Sequence, residues 1–181
     1  MKTNLEIEFK TLIDEETYEK MLKKFDLENN VFEQINHYFD TEKADLINNH
    51  YVLRIRQKGQ TFKLTSKSHS KEGAFEKHIF LTQEQAQTML QEGFDAKIID
   101  FPYYVKKVAD LTTYRTSTTY KNGKIFFDKN VYYNHIDFEI EYEADTMEQG
   151  EIDFQTFLNE NKIKFKQSIS KSKRAYKNAS H

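Results

Sequence analysis

The stretch LEIEFK, residues 5–10, alternates apolar and charged side chains. As a β-strand it sends Leu5, Ile7 and Phe9 to one face and Glu6, Glu8 and Lys10 to the other, with same-face neighbours about 7 Å apart. Carboxylates lined up on one strand face repel each other unless cations sit among them. Hard cations such as Mg2+ and Mn2+ take oxygen ligands, so an alternating acid face is a candidate metal-binding surface. Residues 137–143, DFEIEYE, repeat the pattern, with Glu139, Glu141 and Glu143 opposing Phe138, Ile140 and Tyr142.

Other alternating segments carry the opposite sign. Arg54 and Arg56 oppose Leu53 and Ile55, and Lys63, Thr65 and Lys67 oppose Phe62 and Leu64. Arg115 shares a face with Thr113 and Ser117, while Lys124, Phe126 and Asp128 alternate against Ile125 and Phe127. Any one of these faces reads as the wet side of an antiparallel sheet, where charges contribute little to stability. As a set they are segregated by sign, which a solvated surface has no reason to be. Acid strands suited to a divalent metal, beside Arg and Lys strands suited to anionic oxygens, fit a polyphosphate. Arg gives bidentate, permanently charged contacts and Lys a mobile point charge.

The elements that must position these residues follow from periodicity. Period-two alternation over 5–10, 50–57, 61–67, 75–81, 112–120, 124–133 and 135–144 predicts strands. Gly59 and Asn122-Gly123 predict tight turns between neighbouring strands. Helical spacing predicts a helix capped by Asp14 that carries Tyr18, Met21, Leu22 and Phe25. A second is capped by Thr82 and carries Ala86, Met89 and Leu90, and a third covers 147–161 with Phe154, Phe157 and Leu158. A further short helix is expected around 103–110. Seven or eight strands with inserted helices predict an antiparallel α+β fold, and closing the sheet into a barrel removes its edges. The chain has 181 residues, one proline (Pro102) and five glycines, so one domain spanning 1–181 without a flexible linker is expected.

Composition excludes several classes. Cysteine is absent, which removes disulfides and thiolate metal sites. A formal net charge of −2 argues against a broad nucleic-acid-binding surface while leaving room for a local basic pocket. No apolar run approaches the ~20 residues of a membrane span, and the N-terminal residues lack the apolar core of a signal peptide, so a cytoplasmic protein is expected. His37, His50, His69 and His78 show no paired metal spacing and read as surface or hydrogen-bonded residues. The aromatics of FFDKNVYYN and FPYYV read as core and helix-docking side chains. There is no Walker-type glycine loop, so that phosphohydrolase route lacks its parts.

One ordered set of motifs goes further. Glu6-Ile7-Glu8-Phe9-Lys10 has the ExExK form. It is followed by Tyr38-Phe39-Asp40-Thr41, Leu53-Arg54-Ile55-Arg56, Lys63-Leu64-Thr65-Ser66-Lys67, Arg115, Asp128, Glu139-Ile140-Glu141 and Ser170-Lys171-Ser172-Lys173-Arg174. In this order, over nearly the whole chain, they resemble the CYTH domain family, also called triphosphate tunnel metalloenzymes, and in particular its stand-alone bacterial members. The resemblance implies a closed eight-stranded antiparallel β-barrel with peripheral helices that binds a triphosphate with Mg2+ or Mn2+. Members include inorganic, thiamine and RNA 5′-triphosphatases and class IV adenylate cyclases. It implies that Glu6, Glu8, Glu139 and Glu141 hold the metal or orient water, and that Lys10, Arg54, Arg56, Lys63, Lys67 and Arg115 bind phosphate. Asp128 would orient a base or a water. Lys171 matches a lysine on the family's closing C-terminal helix, with Lys173 as the alternative register. Glu143 continues the acid face. Glu76 sits in a family-like strand, but Ala74 stands where a basic partner is expected. Tyr38, Phe39 and Asp40 read as structural. The function so implied is metal-dependent hydrolysis of a triphosphate, with inorganic tripolyphosphate first. A class IV-type adenylate cyclase, a thiamine triphosphatase and a non-catalytic polyphosphate- or nucleotide-binding protein are the alternatives.

Overall fold

The computed structural model describes residues 2–70 and 73–179, with side chains over 6–68 and 74–179, so the side chains of Leu5 and His69 lie outside the described residues. The strands are β1 (Lys2–Ile13), β2 (Phe32–Asp40), β3 (Tyr51–Lys58), β4 (Thr61–Ser70), β5 (Gly73–Leu81), β6 (Phe94–Asp95), β7 (Tyr104–Tyr120), β8 (Gly123–Val131) and β9 (Ile136–Ala144). The helices are α1 (Glu15–Lys24), α2 (Asp45–Asn48), α3 (Gln83–Glu92), α4 (Met147–Glu160) and α5 (Lys171–Lys177). Strand neighbours run β2-β3-β4-β5-β1-β9-β8-β7, and β7 pairs back onto β2. Eight antiparallel strands therefore form a closed barrel, and the two-residue β6 adds to β7 on its flank. β1 makes closure possible by changing partner along its length. Lys2–Glu6 pair with β5, and Ile7–Ile13 pair with β9.

Alternation then divides every strand between an inner face and a helix-covered outer face. Ile125, Phe127, Ile140 and Tyr142 point outward into a core formed with Tyr18, Met21 and Leu22 of α1 and Phe154, Phe157 and Leu158 of α4. Leu53, Ile55 and Leu64 pack outward against Leu46 of α2, Ala86 of α3, and Phe94 and Ile99. The α1 and α3 caps are as the sequence indicates. Asp14 Oδ1 accepts from the Thr17 amide at 2.8 Å, and Thr82 and Gln85 form a capping box. A third apolar cluster joins Tyr38, Ala109, Leu111 and Tyr132 to Ala175, so α5 caps one end of the barrel. Among the described residues no helix is long and apolar enough to cross a membrane.

Three local expectations need correction. Residues 103–110 are not helical, because Tyr104 onward belongs to β7. The β2 register shifts there from Tyr38↔Ala109 to Phe39↔Lys107. Val108 is thus an extra residue, and it breaks the period-two pattern. β2 itself has an inner face of Gln34, Asn36 and Tyr38, which hid it from a search for apolar alternation. The β7–β8 turn lies one residue earlier than the Asn-Gly pair suggests, since Tyr120 pairs with Gly123 and Lys121 takes the positive φ of 49°. Gly123 is required by packing: a Cβ there would lie 2.4 Å from the Glu143 carbonyl oxygen and from the Tyr142 ring. Gly59, by contrast, serves its turn, with φ of 55°.

Gly150, in the first turns of α4, gives a test of how tightly this helix seats. Glycine to alanine inside a helix usually stabilises by about 0.5–1 kcal/mol. Here the new Cβ would meet the Phe9 ring at 2.5 Å and Ala144 Cβ at 2.6 Å. Gly150→Ala is therefore expected to destabilise by about 1–3 kcal/mol, with a fall in Tm of several degrees in a thermal melt. An unchanged or higher Tm would show that α4 shifts freely on β1 and β9.

Candidate active site

Parity and register carry the charged residues inward. Glu6, Glu8, Lys10, Arg54, Arg56, Lys67, Arg115, Glu141 and Lys171 line one cavity of about 80 Å³. Lys63 stands on the same face of β4, 3.6 Å from Glu76, while Asp128 and Glu139 are fully buried behind the lining. Nine of the twelve site residues named from the sequence thus line one cavity, and Lys63, Asp128 and Glu139 stand beside it, paired with Glu76, Arg115 and Lys171.

The acid wall has its densest point at Asp128, Glu139 and Glu141, whose oxygens lie within 4.8 Å of one another. The Lys171 ammonium sits among them, 2.9 Å from Asp128 and 2.6 Å from Glu141, and also pairs with Glu139. Arg115 grips Asp128 with two hydrogen bonds of 2.7 and 2.6 Å and also donates to Glu141. Arg174 donates to Glu139 at 2.6 Å. Burial pushes the Lys171 pKa down, but Asp128, Glu139 and Glu141 outweigh it and hold the ammonium well above the ordinary lysine range. Burial also pushes Glu141 up, yet Lys171, Arg115 and Lys10 keep it well below the usual carboxylate range. At Glu139 burial wins, and its pKa is raised. Three buried oxygen ligands around a positive centre fit a hard divalent cation, with the ammonium as its stand-in.

Glu6 and Glu8 form a second acid group. Lys67 lies 3.0 Å from Glu6 and 3.4 Å from Glu8, and Lys10 lies 2.8 Å from Glu8. Lys10 also reaches within 3.9 Å of Glu141, bridging the two groups. Burial and Glu141 push the Glu8 carboxyl up, but Lys10 and Lys67 more than offset them and bring it to about 2. Glu143 continues this wall, and burial and Glu6 raise its pKa.

Across the tunnel, Glu76 is buried between Arg54 at 3.7 Å and Lys63 at 3.6 Å. Burial raises its pKa, and the Arg54 and Lys63 charges outweigh it. Its basic partners stand on β3 and β4 rather than at position 74. Arg56 is different. Its Nε donates to Asn36 at 3.0 Å, and it joins none of the tunnel's ion pairs among the described residues. Burial, then Arg54 and Arg115, lower its pKa to about 9. A guanidinium with cations for neighbours and an amide for its partner is an open anion site.

The structure places Lys171 inside and Lys173 on the surface. Helical spacing sends Lys171 and Arg174 to the same side. Arg174 was missed by sequence reasoning, although the 3-residue offset from Lys171 is a usable signal. Asn36 was missed together with its strand. Phe126 belongs to the tunnel wall and not to the core, with the Arg115 guanidinium 4.4 Å above its ring. Tyr133 of the same run is 75% exposed and docks no helix. His37 hydrogen-bonds Asp110 at 2.6 Å, as the reading of it as a hydrogen-bonded residue expects.

A closed eight-stranded barrel lined with opposed walls of charge is the architecture of a triphosphate tunnel. Residues 4–176 match the CYTH domain family, and the chain belongs to it. It is 29% identical over 189 residues to the Bacillus subtilis (strain 168) protein called "Putative triphosphatase YjbK", covering 97% of this chain and 96% of that one. A crystal structure of a "putative adenylate cyclase" from Bacillus halodurans superposes with a TM-score of 0.87 at 28% identity, covering 96% and 98% of the two chains. The "Putative adenylyl cyclase HpAC1" from Hippeastrum, described as having a dominant triphosphatase activity, shares the fold with a TM-score of 0.71 at 18% identity, covering 96% and 95%.

The Glu8 shift has a testable sign. Its folded pKa of about 2 lies below the ordinary 4.5, so its ion pairs add stability above the ordinary pKa that is lost as pH falls through that window. In EDTA, Glu8→Gln is expected to show a shallower fall in Tm than the wild type between roughly pH 5 and pH 3. Parallel acid limbs would place Glu8 outside the network.

Proposed function

We propose that the protein is a divalent-metal-dependent triphosphatase and that inorganic tripolyphosphate is its preferred substrate. The observation that carries this reading is the pairing of an open guanidinium at Arg56 with the buried oxygen cluster of Asp128, Glu139 and Glu141 in the same tunnel. Arg56 can take a phosphate oxygen without first breaking an ion pair. Arg54, Lys63 and Lys67 extend that wall and bind further oxygens of the chain. Glu6, Glu8, Glu139 and Glu141, with Asp128 beside them, would hold Mg2+ or Mn2+. When bound, such a cation neutralises phosphoryl charge and acidifies a water. Lys171, Lys10 and Arg115 answer carboxylates, and with a cation held by those carboxylates they would be available to phosphate.

The relatives bear two names, triphosphatase and cyclase, and the same walls would hold the phosphates of ATP. The wall chemistry favours the first reading, because its polar groups address phosphate. Its aromatic side chains are engaged: Phe126 lies under Arg115 and Tyr38 is 1% exposed, so neither offers a free face to a base.

A metal-dependent phosphate-release assay across tripolyphosphate, ATP, thiamine triphosphate and pyrophosphate tests this. Tripolyphosphate is expected to show the highest kcat/KM, with no appreciable cyclic AMP from ATP and little phosphate from pyrophosphate. Arg56→Ala is expected to raise KM by about 10- to 100-fold, the loss of a charge-assisted contact. Glu8→Gln and Glu141→Gln are expected to lose turnover that excess Mg2+ or Mn2+ does not restore. Faster cyclisation of ATP than hydrolysis of tripolyphosphate would replace the triphosphatase reading with the cyclase one. Tight metal-dependent binding without turnover would leave a sensor.

A further inference from the structure

Asp40 is the aspartate of the Tyr38-Phe39-Asp40-Thr41 run, and the chemistry above leaves it without a task. It is 1% exposed at the end of β2, and a carboxylate so buried must have its oxygens satisfied. Three partners come from its own neighbourhood: the amides of Thr41 at 2.7 Å, Leu46 at 2.9 Å and Ile47 at 3.1 Å. The fourth is the Tyr176 hydroxyl of α5, which donates to Oδ2 at 3.0 Å. Among the described residues it is the one donor to Asp40 from outside the 40–47 segment.

α5 needs such an anchor. It has seven residues, too few to hold a helix by backbone bonds alone, and it follows an irregular segment from 163 to 170. Its tunnel side delivers Lys171 to three carboxylates and Arg174 to Glu139. Tyr176 lies five positions after Lys171, about 7–8 Å along the helix axis, so the phenol acts at the far end of α5 from the ammonium. Burial, and then Asp40, push the Tyr176 pKa far above its ordinary range, so the phenol keeps its proton and remains the donor.

We propose that the Asp40–Tyr176 hydrogen bond is a latch that positions α5, and through it the Lys171 ammonium, for the reaction; Asp40 and Tyr176 are positioning residues. The inference rests on the triphosphatase reading for its kinetic consequence and on the structure alone for its mechanical one. While the tunnel holds no ligand, attraction to the carboxylates also keeps Lys171 in place. Once Lys171 exchanges carboxylate for phosphate, that attraction no longer fixes the helix. The load passes to Arg174, to the packing of Ala175 and to the latch.

The test compares wild type, Tyr176→Phe, Lys171→Ala and the double variant. Tyr176→Phe removes one oxygen and leaves Asp40 its three amides, so the fold and Tm are expected to be kept. In ligand-free protein, amide hydrogen exchange across residues 171–177 is expected to quicken about tenfold, the scale of one hydrogen bond. With Mg2+ and tripolyphosphate, KM is expected to rise about tenfold while kcat changes much less. In the Lys171→Ala background the same substitution is expected to alter KM less than about twofold, because it acts through that ammonium. Unchanged exchange over α5, or KM effects that multiply in the double variant, would overturn the latch. If the wild type turns over no triphosphate, the functional reading falls, and the exchange measurement still decides the latch.

Discussion

Pairing of β2 with β7 closes the barrel, and the charged faces of β1, β3, β4, β8 and β9 are then turned toward its interior. Charges held inside must meet opposite charges or lose their ionisation. This constraint orders the rest of the interior. Acids on β1, β8 and β9 answer bases from β1 itself, β4, β7 and α5, while the isolated acid of β5, Glu76, answers Arg54 and Lys63 of β3 and β4. The apolar faces behind these strands are pinned by α1, α3 and α4, so the charges are displayed from a rigid wall.

Legibility of the sequence followed the same constraint. Where inner charges alternate with outer apolar residues, as at 5–10, 53–56, 62–67 and 138–143, strand, face and chemistry can be read together. β2 could not be read this way, since Gln34, Asn36 and Tyr38 line its inner face and Phe39 alone at its end marks an apolar outer position among buried residues. The first part of β7 was obscured by the extra residue at Val108, which puts two positions of β7 against one of β2. Glu76 was hard to place because its partners lie on other strands: Lys67 is its register neighbour, and Lys63 reaches it diagonally. The choice between Lys171 and Lys173 was open because the repeated Ser-Lys leaves the helix register ambiguous, and packing of Ala175 and Tyr176 against the barrel settles it.

The division between strands and helix has a further consequence. A cation on a strand, such as Lys67 or Arg115, is tied to a ladder on both sides and can change partner only by turning its side chain. Lys171 is carried by a short element with no ladder, attached through Arg174, Ala175 and Tyr176. The densest cluster of acids is therefore neutralised by Arg115 of β7 together with Lys171 and Arg174, two cations that no strand ladder holds.

Affinity in such a tunnel is a difference between two sets of ion pairs and not the sum of one. Each phosphate oxygen that draws Lys67 or Lys171 away removes one positive partner from Glu6 and Glu8 or from the Asp128, Glu139 and Glu141 cluster, which opposes binding unless another cation replaces it. An anion arriving alone would thus face an opposing term at nearly every contact except Arg56. A divalent cation arriving alone would strand the ammonium and guanidinium groups it displaced. A phosphate chain and a divalent cation arriving together would restore pairing for charges of both signs.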